Sequence, residues 1–268
     1  MKHFKNFKTC VYCTAQTLAS LDETTLARDY AYLEKYVGID KVYLETYRDG
    51  TWVAIDHMKM IQNFFKEHGV EIAGGITTVT PPLKKDDAKR QRLFQTFCYS
   101  NETMRTYLKK IVTYTAELFD EIILDDFFFT SCTCDDCLRE RSNLSWAEFR
   151  SNKMIDVAEN LVLKPAKLAN PSVKVTIKYP NWRESYHETG YVPKIQPSMF
   201  DKIYTGTETR NTAHTDQHLP RYLSYSIMRY MEHVAPGRNG GGWFDTYSCW
   251  PIDCYLEQGY LTALSRPQ

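Results

Sequence analysis

The stretch Glu121-Ile122-Ile123-Leu124-Asp125-Asp126-Phe127 is a short apolar run that ends in two adjacent aspartates. An apolar run of this length between polar residues is typical of a strand buried on both faces of a parallel sheet. Amphipathic segments on either side predict helices at about 101–119 and 145–168. The strand with its flanking helices therefore predicts one unit of a parallel α/β sheet.

The same alternation of strand and helix continues in both directions along the chain. Strands are predicted at 9–13, 41–47, 71–77, 121–127, 173–179, 202–206 and 242–247. Further helices are predicted at about 22–36, 56–68, 219–233 and 252–264. Strands joined by helical crossovers run parallel, and seven such units favour a (β/α)8 TIM barrel. The dinucleotide-binding alternative loses its main support because no Gly-x-Gly-x-x-Gly follows the first strand.

The pattern contains seven strands, whereas a closed barrel of this type has eight. We expect residues 1–268 to form a single barrel domain of catalytic type, because no linker or internal repeat divides them. Two explanations of the missing strand stand side by side. Either the sequence is an excised piece of a longer protein, or the barrel closes in another way.

Charge and apolar content argue against two classes of partner. Lys and Arg together number 33, as do Asp and Glu, so no electrostatic feature predicts a nucleic-acid or anionic-membrane partner. No apolar run approaches the roughly 20 residues of a membrane helix, and the N-terminus lacks the apolar segment of a signal peptide. We expect a soluble protein, either cytoplasmic or secreted to the periplasm or beyond, and a homo-oligomer is compatible with the sequence.

Three of the eight cysteines fall within Cys132-Thr133-Cys134-Asp135-Asp136-Cys137. This spacing allows three thiolates to converge on one tetrahedral zinc ion. The best candidate for a fourth ligand is Cys98, because loops that follow neighbouring barrel strands emerge at the same end. Cys10 and Cys13 are weaker candidates, and a disulfide within the run or free thiols are the alternatives. Four cysteine ligands would make the zinc structural, since they leave no open position for water.

This cysteine pattern resembles the zinc-bearing β-galactosidases of glycoside hydrolase family 42, as does the segment 97–105 that leads into the third long helix. The resemblance implies a carbohydrate-cleaving barrel whose zinc ligands are the four cysteines Cys98, Cys132, Cys134 and Cys137. That family ends its fourth strand with Asn-Glu, where this chain has Asp125-Asp126. The Asp-Asp-aromatic ending is more similar to the "hypothetical glycosyl hydrolase" barrels.

Five carboxylates fall at predicted strand ends, where barrel active sites form: Glu45, Asp125, Asp126, Glu208 and Asp245. Cleavage of a glycosidic bond uses two carboxyl groups that face each other across the bond. We expect only one of Asp125 and Asp126 to face the site, because side chains alternate along a strand. Its partner is Glu208 or Asp245. Glu208 is slightly favoured because Gly and Thr residues surround it, and a salt bridge or helix cap is the ordinary alternative for each carboxylate.

The side chains near these strand ends also suit sugar binding, since aromatic rings match the apolar faces of sugars and polar groups match their hydroxyls. The predicted substrate-binding residues are Glu45, Lys178, Tyr179, Asn181, Trp182, Arg210 and Trp243. The leading hypothesis is a glycoside hydrolase with a two-carboxylate mechanism and a structural zinc near the active-site face. The alternatives are a non-catalytic carbohydrate-binding barrel and a metal-dependent hydrolase of another bond.

Overall fold

The structure is a computed structural model that describes residues 4–80, 92–183, 185–214 and 218–265. Seven parallel strands form one curled sheet, whose neighbours follow the order of the chain. These strands are β1 (Cys10–Cys13), β2 (Lys41–Arg48), β4 (Glu71–Ile76), β5 (Glu121–Leu124), β6 (Lys174–Tyr179), β7 (Lys202–Gly206) and β8 (Asn239–Trp243). The two-residue strand β3 (Thr51–Trp52) pairs antiparallel with β2. This arrangement confirms the predicted TIM-barrel class, with the sheet open between β1 and β8 in the described pairings.

Helices connect the strands and cover the outer face of the sheet. They are α1 (Ala15–Ser20), α2 (Glu23–Tyr36), α3 (Ile55–Glu67), α4 (Glu102–Leu118), α5 (Asp135–Arg141), α6 (Trp146–Val157), α7 (Lys164–Ala169), α8 (Tyr186–Thr189), α9 (Gln196–Met199), α10 (Leu223–Val234) and α11 (Asp253–Leu264). Asp22, Asn101 and Ser145 cap α2, α4 and α6 by accepting a hydrogen bond from the backbone N–H three residues on. A π-helical turn at Ala158–Leu163 joins α6 to α7, so the predicted helix 145–168 is continuous but irregular.

Two apolar clusters fill the two sides of the sheet. The larger one lies between the sheet and the helices, and Ile122, Leu124 and Ile177 contribute to it from the strands. The smaller one fills the inside of the curl with Tyr43, Ala73, Ile123 and Tyr204, against which Tyr12 and Trp243 pack. The rings of Tyr12 on β1 and Trp243 on β8 lie 4.8 Å apart between centroids, so aromatic packing brings the two edges of the sheet together.

Two predicted strand boundaries are wrong, and each has a physical reason. β5 ends at Leu124 because the Phe128 N–H donates to the Asp125 carbonyl, which turns the chain. β8 begins at Asn239, three residues before the predicted start, because its glycines allow Tyr204 to approach closely. A Cβ atom on Gly240 would lie 2.8 Å from that ring.

The helices in the described parts of the chain are short or polar. None of them is both long and apolar enough to cross a bilayer.

Candidate active site

Lys178, at the C-terminal end of β6, gathers three carboxylates around one buried ammonium group. Its Nζ lies 3.3 Å from Asp125 Oδ1, 3.0 Å from Asp126 Oδ2 and 3.4 Å from Glu208 Oε1. The same nitrogen lies 4.2 Å from the centre of the Trp243 ring. We call Lys178, Asp125, Asp126 and Glu208 the Lys178 cluster. Three consecutive strands of the sheet therefore bring charged side chains to one point at the end where barrel active sites form.

The prediction that only one of Asp125 and Asp126 faces the site is wrong. Alternation of side chains applies within a strand, and both residues lie beyond the end of β5. In the turn that follows, both carboxylates contact Lys178. The two aspartates differ in their surroundings rather than in their direction.

Asp125 is the deeply buried member of the pair. Its Oδ2 accepts hydrogen bonds from Arg48 Nη2 at 2.7 Å and from the Thr77 hydroxyl at 3.2 Å. Its Oδ1 accepts one from the Asp126 backbone N–H at 3.0 Å. Burial acts to raise the pKa of Asp125, but the charges of Lys178 and Arg48 outweigh burial and hold that pKa at about 2. Asp125 is therefore ionised and has few free acceptor positions.

Asp126 keeps about a fifth of its side chain exposed and has Lys178 as its ion-pair partner. Burial, reinforced by the negative charges of Asp125 and Glu208, raises the pKa of Asp126 to about 8 despite the nearby Lys178. At neutral pH this carboxyl group is largely protonated. The arrangement thus places a protonated carboxyl group next to two other carboxyl groups, and the surroundings push the pKa values of Asp125 and Asp126 apart.

Glu45 anchors the site from behind and is fully buried. It accepts hydrogen bonds from the Tyr12 hydroxyl at 2.5 Å and the Ala15 backbone N–H at 2.7 Å, and also from the Thr77 hydroxyl. Arg48 Nε donates to Glu45 Oε2 at 2.9 Å while its Nη2 reaches Asp125, so one guanidinium joins two buried carboxylates. Glu45 therefore helps to hold Asp125 in place through the Arg48 guanidinium.

Sequence reasoning missed Arg48 and Thr77. Both stand at the ends of predicted strands, and this position is the signal that could have indicated them. Their contacts with Glu45 and Asp125 depend on how the strand ends meet in space.

Glu208 follows the end of β7 and is held over a glycine. Asn181 Nδ2 donates to the Glu208 carbonyl at 3.0 Å and lies 3.4 Å from its Oε2. A Cβ atom on Gly206 would lie 2.8 Å from Glu208 Oε2 and 2.8 Å from the Asn181 backbone nitrogen. The missing side chain at position 206 is thus what lets the β6 loop and the Glu208 carboxylate pack together.

Asp245 lies apart from the Lys178 cluster, in the loop after β8. Its carboxylate is 45% exposed and accepts a hydrogen bond from Arg210, which also donates to the Tyr247 carbonyl at 3.0 Å. Arg210 was predicted to bind substrate, and the structure pairs its guanidinium with Asp245.

The remaining predicted aromatics occupy different environments. Tyr179 is fully buried between the sheet and the helices, and its hydroxyl donates to Gln196 Oε1 at 3.4 Å. The structure does not bring Tyr179 to the Lys178 cluster. Trp182 is 41% exposed beside Asn181 and packs edge-on against Tyr230 of α10, with 5.4 Å between ring centroids.

The four predicted metal ligands, Cys98, Cys132, Cys134 and Cys137, form what we call the cysteine cluster. Their sulfur atoms all lie within 4.8 Å of one another, and Cys98 Sγ lies 3.7 Å from Cys134 Sγ and 3.6 Å from Cys137 Sγ. All eight cysteines are free, so a disulfide within the run does not form. Phe149 and Trp146 pack against the sulfurs. Four thiols gathered in an apolar setting form a group that could hold a metal ion.

Comparison with known proteins identifies the family. A family model described as "Probable glycosyl hydrolase, catalytic domain" matches residues 1–268. The chain belongs to this family. An uncharacterized protein of Saccharolobus solfataricus is 33% identical over 289 residues, which cover 97% of this chain and 47% of that protein. The chain thus spans about half the length of this relative. The likeness to glycoside hydrolase family 42 stays a prediction.

Two solved structures support the fold of this glycosyl hydrolase domain. The spore cortex-lytic enzyme SleL of Bacillus cereus has a TM-score of 0.51 at 14% identity, covering 91% of this chain and 52% of that one. The endo-1,4-beta-xylanase XylE of Penicillium canescens has a TM-score of 0.51 at 10% identity, covering 97% and 79%. At these identities the likeness is one of fold.

Proposed function

We propose that this glycosyl hydrolase domain cleaves a glycosidic bond with Asp126 as the general acid and Glu208 as the facing carboxylate. The observation that carries the proposal is the contact of both carboxyl groups with Lys178 at the strand ends. Because its pKa is raised, Asp126 is protonated at neutral pH and can supply the proton that the leaving oxygen needs. Asp125 and Arg48 hold the turn that presents Asp126.

The separation of the two carboxyl groups favours retention of the anomeric configuration. Asp126 Oδ2 and Glu208 Oε1 lie 3.0 and 3.4 Å from the same nitrogen, so they are at most about 6.4 Å apart. Retaining enzymes hold these groups about 5–5.5 Å apart, whereas inverting enzymes need about 6.5–9.5 Å to fit a water. In the retaining reaction Glu208 would attack the anomeric carbon as Asp126 protonates the departing oxygen. Asp126 would then deprotonate the water that releases the sugar.

Lys178 acts in this proposal as a fixed positive charge. Its three carboxylate neighbours raise its pKa despite burial, so it stays protonated. A protonated amine is not a nucleophile, which argues against covalent chemistry at Lys178. Its ammonium group would instead hold the Glu208 side chain in position.

Turnover on a panel of aryl monosaccharide glycosides tests the proposal. We expect the wild-type protein to release the aryl group from at least one sugar, with Asp126→Asn and Glu208→Gln greatly impaired. The proton NMR signal of the released sugar gives the anomer first formed. Binding of sugars without turnover of any glycoside would favour the non-catalytic barrel instead.

We further propose that the cysteine cluster binds a structural zinc ion. Tetrahedral Zn²⁺ with Zn–S bonds of about 2.3 Å places its sulfur ligands about 3.8 Å apart, and the distances from Cys98 are 3.6 and 3.7 Å. Four thiolates leave no position for a reacting water, so the ion would brace the loops after β4 and β5. Metal analysis of the purified protein, with Cys134→Ser as the comparison, tests this role.

A further inference from the structure

Exposed aromatic rings are carried by the loops after β6 and β8, the two strands that neighbour β7 and its Glu208. Trp182 follows Asn181, whose side chain donates to the Glu208 carbonyl. On the other side, the segment 245–250 carries Tyr247 and Trp250, which are 61% and 83% exposed. Large rings left in water at the mouth of a site are typical of binding surfaces.

The backbone of the second loop is fixed directly to the segment that carries Glu208. Arg210 donates to the Tyr247 carbonyl at 3.0 Å, and its guanidinium lies 5.1 Å from the centre of the Tyr247 ring. The Asn211 backbone N–H donates to the Ser248 carbonyl at 3.0 Å, and the Asn211 side chain donates to the Trp250 carbonyl. The two rings are therefore held on an anchored loop. A ligand that binds to them would lose little free energy to ordering of that loop.

The polar groups beside these rings suit an uncharged ligand rich in hydroxyls. Arg210 and Asp245 form an ion pair next to Tyr247: the guanidinium lies over the ring, and Asp245, which is 45% exposed, accepts a hydrogen bond from the Tyr247 backbone N–H. The cations Arg48, Lys178 and Arg210 are each ion-paired, so an acidic sugar would have to displace a carboxylate. An apolar face with polar edges is the surface that a neutral sugar ring complements.

We propose that Trp182 on one side and Tyr247 with Trp250 on the other form binding subsites for a chain of neutral sugars that spans the Lys178 cluster. This inference rests on the proposed glycosidase function and narrows its substrate to an oligosaccharide or polysaccharide. Aromatic stacking away from the scissile bond would supply binding energy that a single sugar lacks.

Affinity electrophoresis in native gels that contain xylan, mixed-linkage β-glucan or galactomannan tests the inference. We expect at least one polysaccharide to retard the wild-type protein, and Trp250→Ala and Trp182→Ala to reduce that retardation at least threefold. Tyr36→Ala is the control, because Tyr36 is an exposed ring on α2, away from these loops, and its loss should leave the retardation as it is. Circular dichroism spectra confirm that each variant is folded.

Two outcomes overturn the inference: no polysaccharide retards the wild-type protein, or the Trp250 and Trp182 variants are retarded as strongly as wild type. The aryl-glycoside panel separates these failures from failure of the proposed function. Turnover of an aryl monosaccharide without retardation by any polysaccharide retains the glycosidase and removes the chain-binding subsites. Ring-dependent retardation without turnover retains the subsites and removes the glycosidase.

Discussion

The cysteine cluster and the Lys178 cluster both follow strands at the same end of the sheet, yet they manage charge differently. The cysteine cluster sets four like groups against Phe149 and Trp146, with the Arg150 guanidinium as a nearby charge that acts on Cys137 and Cys132. The Lys178 cluster instead holds its cation in contact with three carboxyl groups and keeps part of Asp126 exposed. In the two proposals above, the first group would bind a metal ion and brace two loops, whereas the second would exchange a proton with the substrate.

The largest expected effect is loss of activity without loss of the fold. Asp126→Asn and Glu208→Gln should each lower kcat/KM by about 10²–10⁴-fold on the best aryl glycoside, because each removes a group that acts in the transition state. Steady-state kinetics gives the loss, and urea unfolding checks that stability is kept. A decrease of less than tenfold for both variants would contradict the assignment.

Removal of the Arg48 guanidinium, which joins Glu45 and Asp125, should instead destabilise the protein. Arg48→Met leaves the buried carboxylates of Glu45 and Asp125 without their shared partner, which costs about 3–5 kcal/mol in the free energy of unfolding. Arg210→Met is the comparison at a pair whose carboxylate, Asp245, is 45% exposed, so a smaller loss is expected. Equal losses in the two variants would show that the inner network is not special.

Loss of the metal ion from the cysteine cluster should lower the stability of the protein and leave its activity almost unchanged. If Cys134→Ser weakens zinc binding 100- to 1,000-fold at a fixed zinc concentration, the free energy of unfolding falls by about 3–4 kcal/mol. Thermal unfolding with and without a chelator measures this, and kcat/KM of the protein that remains folded should stay near wild type. A variant that keeps its stability but loses turnover would make the metal catalytic.

A smaller effect is expected at the glycine beneath Glu208. Gly206→Ala would place a methyl group against the Asn181 backbone and the Glu208 carboxylate, which costs about 1–3 kcal/mol and displaces Glu208. Ala263→Gly on α11 serves as the control, because it shows the size of an ordinary change between two small residues. Urea unfolding and kcat/KM together show whether position 206 supports the site.

The smallest effect is expected at Asp245, the second candidate partner from the sequence. Asp245→Asn removes one charge of a half-exposed pair outside the Lys178 cluster, so kcat/KM should fall by about threefold or less. A loss as large as that of Glu208→Gln would make Asp245, and not Glu208, the carboxylate that faces Asp126.

The strand and helix pattern was readable from the sequence because hydrophobic periodicity reports which face of each element is buried. The cysteine cluster was readable because its spacing and the barrel topology act together. The direction of Asp126 was not readable, since it depends on β5 ending at Leu124, three residues before the predicted end. The roles of Arg48 and Glu45 were hidden too, because they come from contacts between β2 and β5, strands that are not neighbours in the sheet.

The pH dependence of kcat/KM tests the central claim most directly. The general acid must be protonated to act, so with a pKa of about 8 for Asp126 we predict that kcat/KM declines as the pH rises through about 8. Asp126→Asn should abolish this alkaline limb from its residual activity, whereas Asp245→Asn should keep it. An alkaline limb that persists unchanged in Asp126→Asn would contradict the assignment of Asp126 as the acid.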